Sequence, residues 1–107
     1  MALMIRNVVL GRLRSPRDAA QAEADLAALR GGLMALAALP YRGLLSCEVG
    51  VDAGLREGGW SFAITSDWAD VESYRAYDEE PEHNRLRREV FDPLCPDLAR
   101  VQFEVDR

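Results

Sequence analysis

A single imidazole, His83, is the only side chain of this 107-residue chain whose ordinary pKa lies near neutrality. It follows Glu80-Pro81-Glu82, and Tyr77 stands six residues before it. These are the two groups whose types suit proton chemistry: the imidazole as a general base, the phenol as a hydrogen-bond donor to an oxygen that gains charge. Placed in the first turn after Pro81, His83 would feel the positive end of a helix, which disfavours the imidazolium. On residue type alone it is either a base that removes a proton alpha to a carbonyl or a histidine that caps a turn and fills a pocket mouth. Tyr77 is either the donor beside that base or a core aromatic with a wet hydroxyl. A third polar group, Asn7, falls among the apolar residues of Leu3-Met4-Ile5-Arg6-Asn7-Val8-Val9-Leu10. An amide there is either satisfied by neighbouring backbone or lines a polar pocket. It can orient a carbonyl, but it exchanges no proton near neutral pH.

Composition removes other chemistries. All 13 basic residues are arginine, which leaves no Schiff base, no lysine general base and no Walker-type phosphate clamp. One histidine cannot build a multi-histidine zinc site, and Cys47 and Cys95 have no metal spacing. No metal is expected, and both cysteines read as free thiols of a cytoplasmic protein. No cofactor is expected either, since a heme would need an axial ligand and His83 is the one histidine. The 13 basic and 18 acidic residues give a net charge of −5 with no basic tract, which argues against nucleic acid. Arg85, Arg87 and Arg88 lie beside Glu79, Glu80, Glu82 and Glu89 at helix-face separations. They read as a solvated, salt-bridged surface and not as an anion site. No apolar run is long enough for a membrane span, and Met1 to Asn7 reads as a strand start, not a signal peptide.

The elements that would position these residues follow from periodicity. Residues 3–10 predict a strand. Ser15 as cap and Pro16 in the first turn predict a helix on Ala22, Leu26, Leu29, Leu33 and Leu36, broken or kinked at Gly31-Gly32 and ended by Pro40. Residues 43–52 and 59–67 predict two strands joined by a loop with Gly54 and Gly58-Gly59. Trp60, Phe62 and Ile64 would share the helix-facing side, where they line any cavity or simply pack the core. Ser66 or Asp67 would cap a second helix carrying Trp68, Val71, Tyr74 and Tyr77. Pro81 would open a third helix to about residue 92, with His83, Leu86 and Val90 on one face. Residues 98–106 alternate as a last strand. The order β-α-β-β-α(α)-β predicts an α+β, ferredoxin-like sandwich with an antiparallel four-stranded sheet in one domain, residues 1–107.

Three stretches carry a resemblance: Ile5-Arg6-Asn7-Val8-Val9-Leu10, Ser46-Cys47-Glu48-Val49-Gly50, and Ser66-Asp67-Trp68 through Tyr77 to Glu80-Pro81-Glu82-His83. Together they resemble the stress-responsive A/B barrel (Dabb) family, whose motifs there read I-R-H-V-V-L-F, S-F-E-V-G and S-D-F…Y-x-x-H-P-x-H. The resemblance covers nearly the whole chain. It implies a homodimer in which two four-stranded sheets close into one dimeric α+β barrel with the helices outside. A bare sheet face with Met4, Arg6, Val8 and Leu10, and with Ser61, Ala63 and Thr65, suits such pairing. In the family's plant polyketide cyclase the first-strand histidine, the second histidine of H-P-x-H and the tyrosine six residues before it do the work. The resemblance thus implies catalytic roles for His83 and Tyr77. The family's first-strand histidine falls on Asn7, and the first histidine of H-P-x-H falls on Glu80. The implied ligand is a small, apolar, carbonyl-containing molecule, held by Asn7, Trp60, Phe62 and Ile64. The implied function is a cyclase-like, cofactor-independent proton-transfer enzyme; the alternative is a non-catalytic, stress-responsive or ligand-binding dimer.

Overall fold

Two hydrogen-bonded edges on the first strand set the layout. The computed structural model describes residues 3–106; Met1 and Ala2 of the opening stretch, and Arg107, lie outside the described residues. Strand β1 (Leu3–Arg12) pairs antiparallel with β3 (Phe62–Trp68) on one side and with β4 (Asp97–Asp106) on the other. Strand β2 (Leu44–Val51) pairs antiparallel with β3, giving the order β2-β3-β1-β4. Helix α1 (Ala19–Ala38) joins β1 to β2. Helices α2 (Val71–Glu79) and α3 (Pro81–Leu86), a π-helical turn (Arg87–Phe91) and a last turn α4 (Asp92–Leu94) join β3 to β4. This is the ferredoxin-like α+β arrangement that the pattern predicts. No helix among the described residues is long and apolar enough to cross a membrane.

Pleating assigns the faces. Asn7 pairs with Ser66 and with Gln102, so Ile5, Asn7 and Val9 share a side with Phe62, Ile64, Ser66 and Trp68 and with Leu98, Arg100 and Gln102. That side meets the helices. Leu29, Leu33 and Leu36 of α1 bury Phe62 and Ile64 together with Leu86, Phe91 and Leu94. A second cluster joins Ile5, Trp68 and Tyr77, with Tyr41, Leu44 and Tyr74 packed against it.

Local boundaries depart from the periodic reading for physical reasons. Asp18, not Ser15, caps α1, its carboxylate accepting from the Gln21 N–H at 2.8 Å. The chain before it is tied down, because Arg14 makes a two-pronged pair with the buried Asp25 of α1 at 2.9 and 3.0 Å and its N–H donates to the Leu94 carbonyl. Helix α1 runs unbroken through Gly31-Gly32. Gly32 is where the π-helical turn packs: a Cβ there would lie 2.7 Å from Val90 Cγ1. Ser66, Asp67 and Trp68 belong to β3, and α2 is capped by Asp70, whose carboxylate accepts from the Ser73 N–H at 2.8 Å. The polar groups of the expected caps are used inside the sheet. Ser66 Oγ accepts from the Trp68 indole at 2.9 Å, and Asp67 holds Arg6 across the strands at 2.8 and 3.0 Å. Strand β3 starts at Phe62, so Trp60 lies ahead of it, beneath the Arg12 guanidinium at 4.3 Å.

The two glycines of α1 should behave in opposite ways. Nothing lies within 4 Å of a Cβ at Gly31, so Gly31→Ala should stabilise the fold by about 0.5–1 kcal/mol in urea unfolding. Gly32→Val should lose about 1–3 kcal/mol by overpacking against Val90.

Candidate functional site

Between the sheet and α2–α3 lies a cavity of about 650 Å³, open on one side, of a size that suits a small organic ligand. Its floor is Asn7 and Val9 of β1, Phe62 and Ile64 of β3, and Leu98, Arg100 and Gln102 of β4. Its wall is Tyr74, Tyr77, His83, Asn84, Arg87 and Phe91, with Asp78 and Glu79 at the rim and Leu36 of α1 behind.

The hinge between α2 and α3 places the imidazole. Glu80 ends α2 and caps α3, its Oε2 accepting from the His83 N–H at 2.6 Å, while Pro81 fills the first turn. The His83 ring then stacks on Tyr77, centroids 4.1 Å apart and planes tilted by 38°. Tyr77 in turn packs on Trp68 at 4.7 Å and meets Tyr41 edge-on at 4.9 Å. The imidazole is thus the outermost ring of an aromatic stack that begins on the sheet.

Electrostatics keep this imidazole neutral. Its pKa is lowered chiefly by burial, against the opposing pull of Asp78 and Glu80 and with help from the Arg87 and Arg100 cations. Desolvation is the first cause. His83 Nδ1 is buried and has no hydrogen-bond partner among the described residues. Burial raises the Tyr77 phenol well above its ordinary value, so it stays a protonated donor. Asn7 is 2% exposed, and its Oδ1 accepts from Gln102 Nε2 at 2.9 Å. Its NH₂ group remains as a donor at the cavity floor. His83, Tyr77 and Asn7, a base and two donors by type, therefore line one cavity of mixed polar and apolar character. Among the described residues no group of three or more His, Cys, Asp and Glu could hold a metal ion.

Five of the six residues singled out in the sequence, His83, Tyr77, Asn7, Phe62 and Ile64, meet at this cavity. Trp60 does not, because the strand begins after it and its ring is covered by Arg12. Sequence reasoning missed Arg87, Arg100 and Gln102. Alternation along 98–106 puts Arg100 and Gln102 on one side, but only the pairing of Gln102 with Asn7 makes that side the cavity side. Arg87 was readable one helical turn after His83. Of the arginine run, Arg85 alone takes up the glutamates, pairing with Glu82 and, at 2.7 Å, with Glu89.

Residues 5–105 match the family model described as Stress Responsive A/B Barrel Domain. The chain is similar to a dimeric ferredoxin-like protein of unknown function from Thermobifida fusca, with 30% identity over 98% of this chain and 93% of that one, TM-score 0.73. It is similar in fold to a Dabb family protein with a ferredoxin-like fold from Mesorhizobium loti, with 20% identity over 98% of both chains, TM-score 0.67. A hydroxynitrile lyase from Passiflora edulis also shares the fold, with 19% identity over 97% of this chain and 94% of that one, TM-score 0.66. No curated protein matches the chain.

As the one histidine, His83 gives a single imidazole signal in a carbon–proton NMR titration. Its midpoint should fall below the ordinary value of about 6.5, and Arg87→Met and Arg100→Met should each move it upward.

Proposed function

We propose that this chain, which belongs to the stress responsive A/B barrel domain family, is a homodimer that binds a small apolar carbonyl compound beside His83 and removes a proton alpha to its carbonyl. The observation that carries this reading is the imidazole, neutral by burial, with an unpartnered Nδ1, stacked on Tyr77 at the wall of a cavity of about 650 Å³. A buried polar atom without a partner is costly unless something that enters the site satisfies it.

In this mechanism the neutral imidazole takes the alpha proton, and the electron pair of the broken C–H bond passes into the carbonyl. The enolate oxygen accepts hydrogen bonds from the Tyr77 hydroxyl and the Asn7 NH₂ group, donors fixed before the charge develops. Phe62, Ile64 and Phe91 hold the apolar body and keep water from the enolate. The imidazolium, surrounded by groups that destabilise it, returns its proton to the product. Such an enolate can add to a second carbonyl in the same molecule, which is ring closure of the cyclase type, without a cofactor. One observation favours a second reading, a non-catalytic ligand-binding dimer: Asn7 cannot share the proton transfers, so His83 alone would have to take and return each proton.

The homodimer rests on the sheet face turned away from the helices. There Val101 is 53% and Phe103 44% exposed, across from Val8 and Arg6 in register. An apolar sheet face of this kind suits pairing with its own copy about a two-fold axis. The similar Thermobifida fusca protein is described as dimeric. Cys47 and Cys95, both free thiols, fit a reducing, cytoplasmic setting.

Two measurements test these claims. An apolar β-diketone in D₂O, followed by NMR, should exchange its alpha protons faster with the protein than in buffer, and His83→Ala should lower the gain by about 10²–10⁴-fold. Tyr77→Phe should lower it less. Binding without exchange would establish the non-catalytic reading, and unchanged exchange in both variants would end the mechanism. In sedimentation velocity the protein should run as a dimer, and Val101→Arg with Phe103→Glu as a folded monomer.

A further inference from the structure

Two guanidinium groups stand at the cavity without a carboxylate. The other arginines that reach into the fold each hold one: Arg6 grips Asp67 at 2.8 and 3.0 Å, and Arg14 grips Asp25 at 2.9 and 3.0 Å. Arg87 is half-buried and Arg100 exposed, both line the cavity, and among the described residues neither makes an ion pair or a side-chain hydrogen bond. Asp78 and Glu79 also line the cavity and are exposed, and among the described residues neither forms an ion pair with Arg87 or Arg100.

The two cations come from separate elements that the fold brings to one opening. Arg87 lies one helical turn beyond His83 and opens the π-helical turn, where the Asp92 N–H donates back to the Arg87 carbonyl. That wide turn returns Phe91 to the core side after Leu86, so both are buried although five residues apart. Arg100 sits two residues from Gln102, which holds Asn7. Both cations are close enough to His83 to lower its proton affinity. A half-buried guanidinium presents a planar fork of donors that matches a carboxylate, and outside bulk water that pairing gains strength.

We propose that the cavity takes its carbonyl ligand as an anion, with Arg87 and Arg100 gripping a ligand carboxylate at the opening. The apolar chain then lies over Phe62, Ile64 and Phe91, and the ligand's carbonyl reaches His83. This rests on the reading of the cavity as a site for carbonyl compounds and adds the charge of the substrate to it. Arg87 and Arg100 bind and position; neither takes part in the proton transfer.

The test uses γ-oxodecanoate and its methyl ester, which differ in the negative charge and one capping methyl group, titrated calorimetrically at neutral pH and low salt. The acid should bind about tenfold more tightly than the ester or better, and added salt should weaken the acid alone. Arg87→Met and Arg100→Met should each bring the acid towards the ester, with far-UV circular dichroism and an unchanged urea midpoint showing that the variants are folded. Arg87→Lys should retain part of the preference. Equal binding of acid and ester to the unaltered protein, or an undiminished preference in both Met variants, would overturn the anionic subsite and leave the cavity reading standing. Binding of neither compound would overturn the cavity reading and this one with it.

Discussion

The register of β1 is the constraint on which the rest of the molecule depends. The strand is hydrogen-bonded on both edges, with Asn7 opposite Ser66 on β3 and Gln102 on β4. Side chains alternate across a sheet, so a slip of one residue would turn Asn7 and Val9 out of the cavity and put Arg6 and Val8 into it. The opposite face guards the register: Arg6 and Asp67 are direct cross-strand partners in a two-pronged ion pair, and Ser46 Oγ donates to the same carboxylate at 3.1 Å. One pairing thus specifies the cavity floor and the exposed apolar face together.

The helical layer brings the imidazole to the cavity and desolvates it. Glu80 serves two helices at once, ending α2 and capping α3, and the angle it sets lays His83 on Tyr77. Burial favours the neutral imidazole, so the folded protein holds its histidine proton less tightly than the unfolded chain does. The resulting linkage has a definite sign. The contribution to stability is fully present above the ordinary imidazole pKa and is lost as pH falls through the depressed one. The desolvation that would keep a base ready at neutral pH therefore makes the same site a point of acid sensitivity.

Irregular backbone does the remaining positioning. The π-helical turn lets Leu86 and Phe91 both reach the core, brings Val90 against Gly32 of α1, and leaves Arg87 facing the cavity. An unbroken α-helix would place Leu86 and Phe91 well apart around its axis. The polar side of the cavity and the packing of the core are in this way consequences of one local distortion.

Much was legible in the chain itself, because it depends on local period and residue type. The β-branched, apolar run 3–10, the alternation in 98–106, the Leu29, Leu33 and Leu36 spacing and Pro81 before His83 point to the order of elements and the ferredoxin-like fold. The lone histidine, the tyrosine six residues earlier and the asparagine in an apolar strand all fall in the lining of the candidate site. Boundaries that hinge on which partner a polar side chain finds were not legible: Ser66 and Asp67 have the types of helix caps but bond within the sheet, and Trp60 has the type of a cavity residue but lies outside its strand. Local sequence determines which residues form strands and helices and which groups have the chemistry, since neighbours along the chain set those preferences. Only the tertiary structure decides that Gln102 meets Asn7, that Gly32 makes room for Val90, and that Arg100 reaches the cavity beside His83. Those contacts join residues far apart in the chain, and strand register and helix packing create them where no local pattern can encode them.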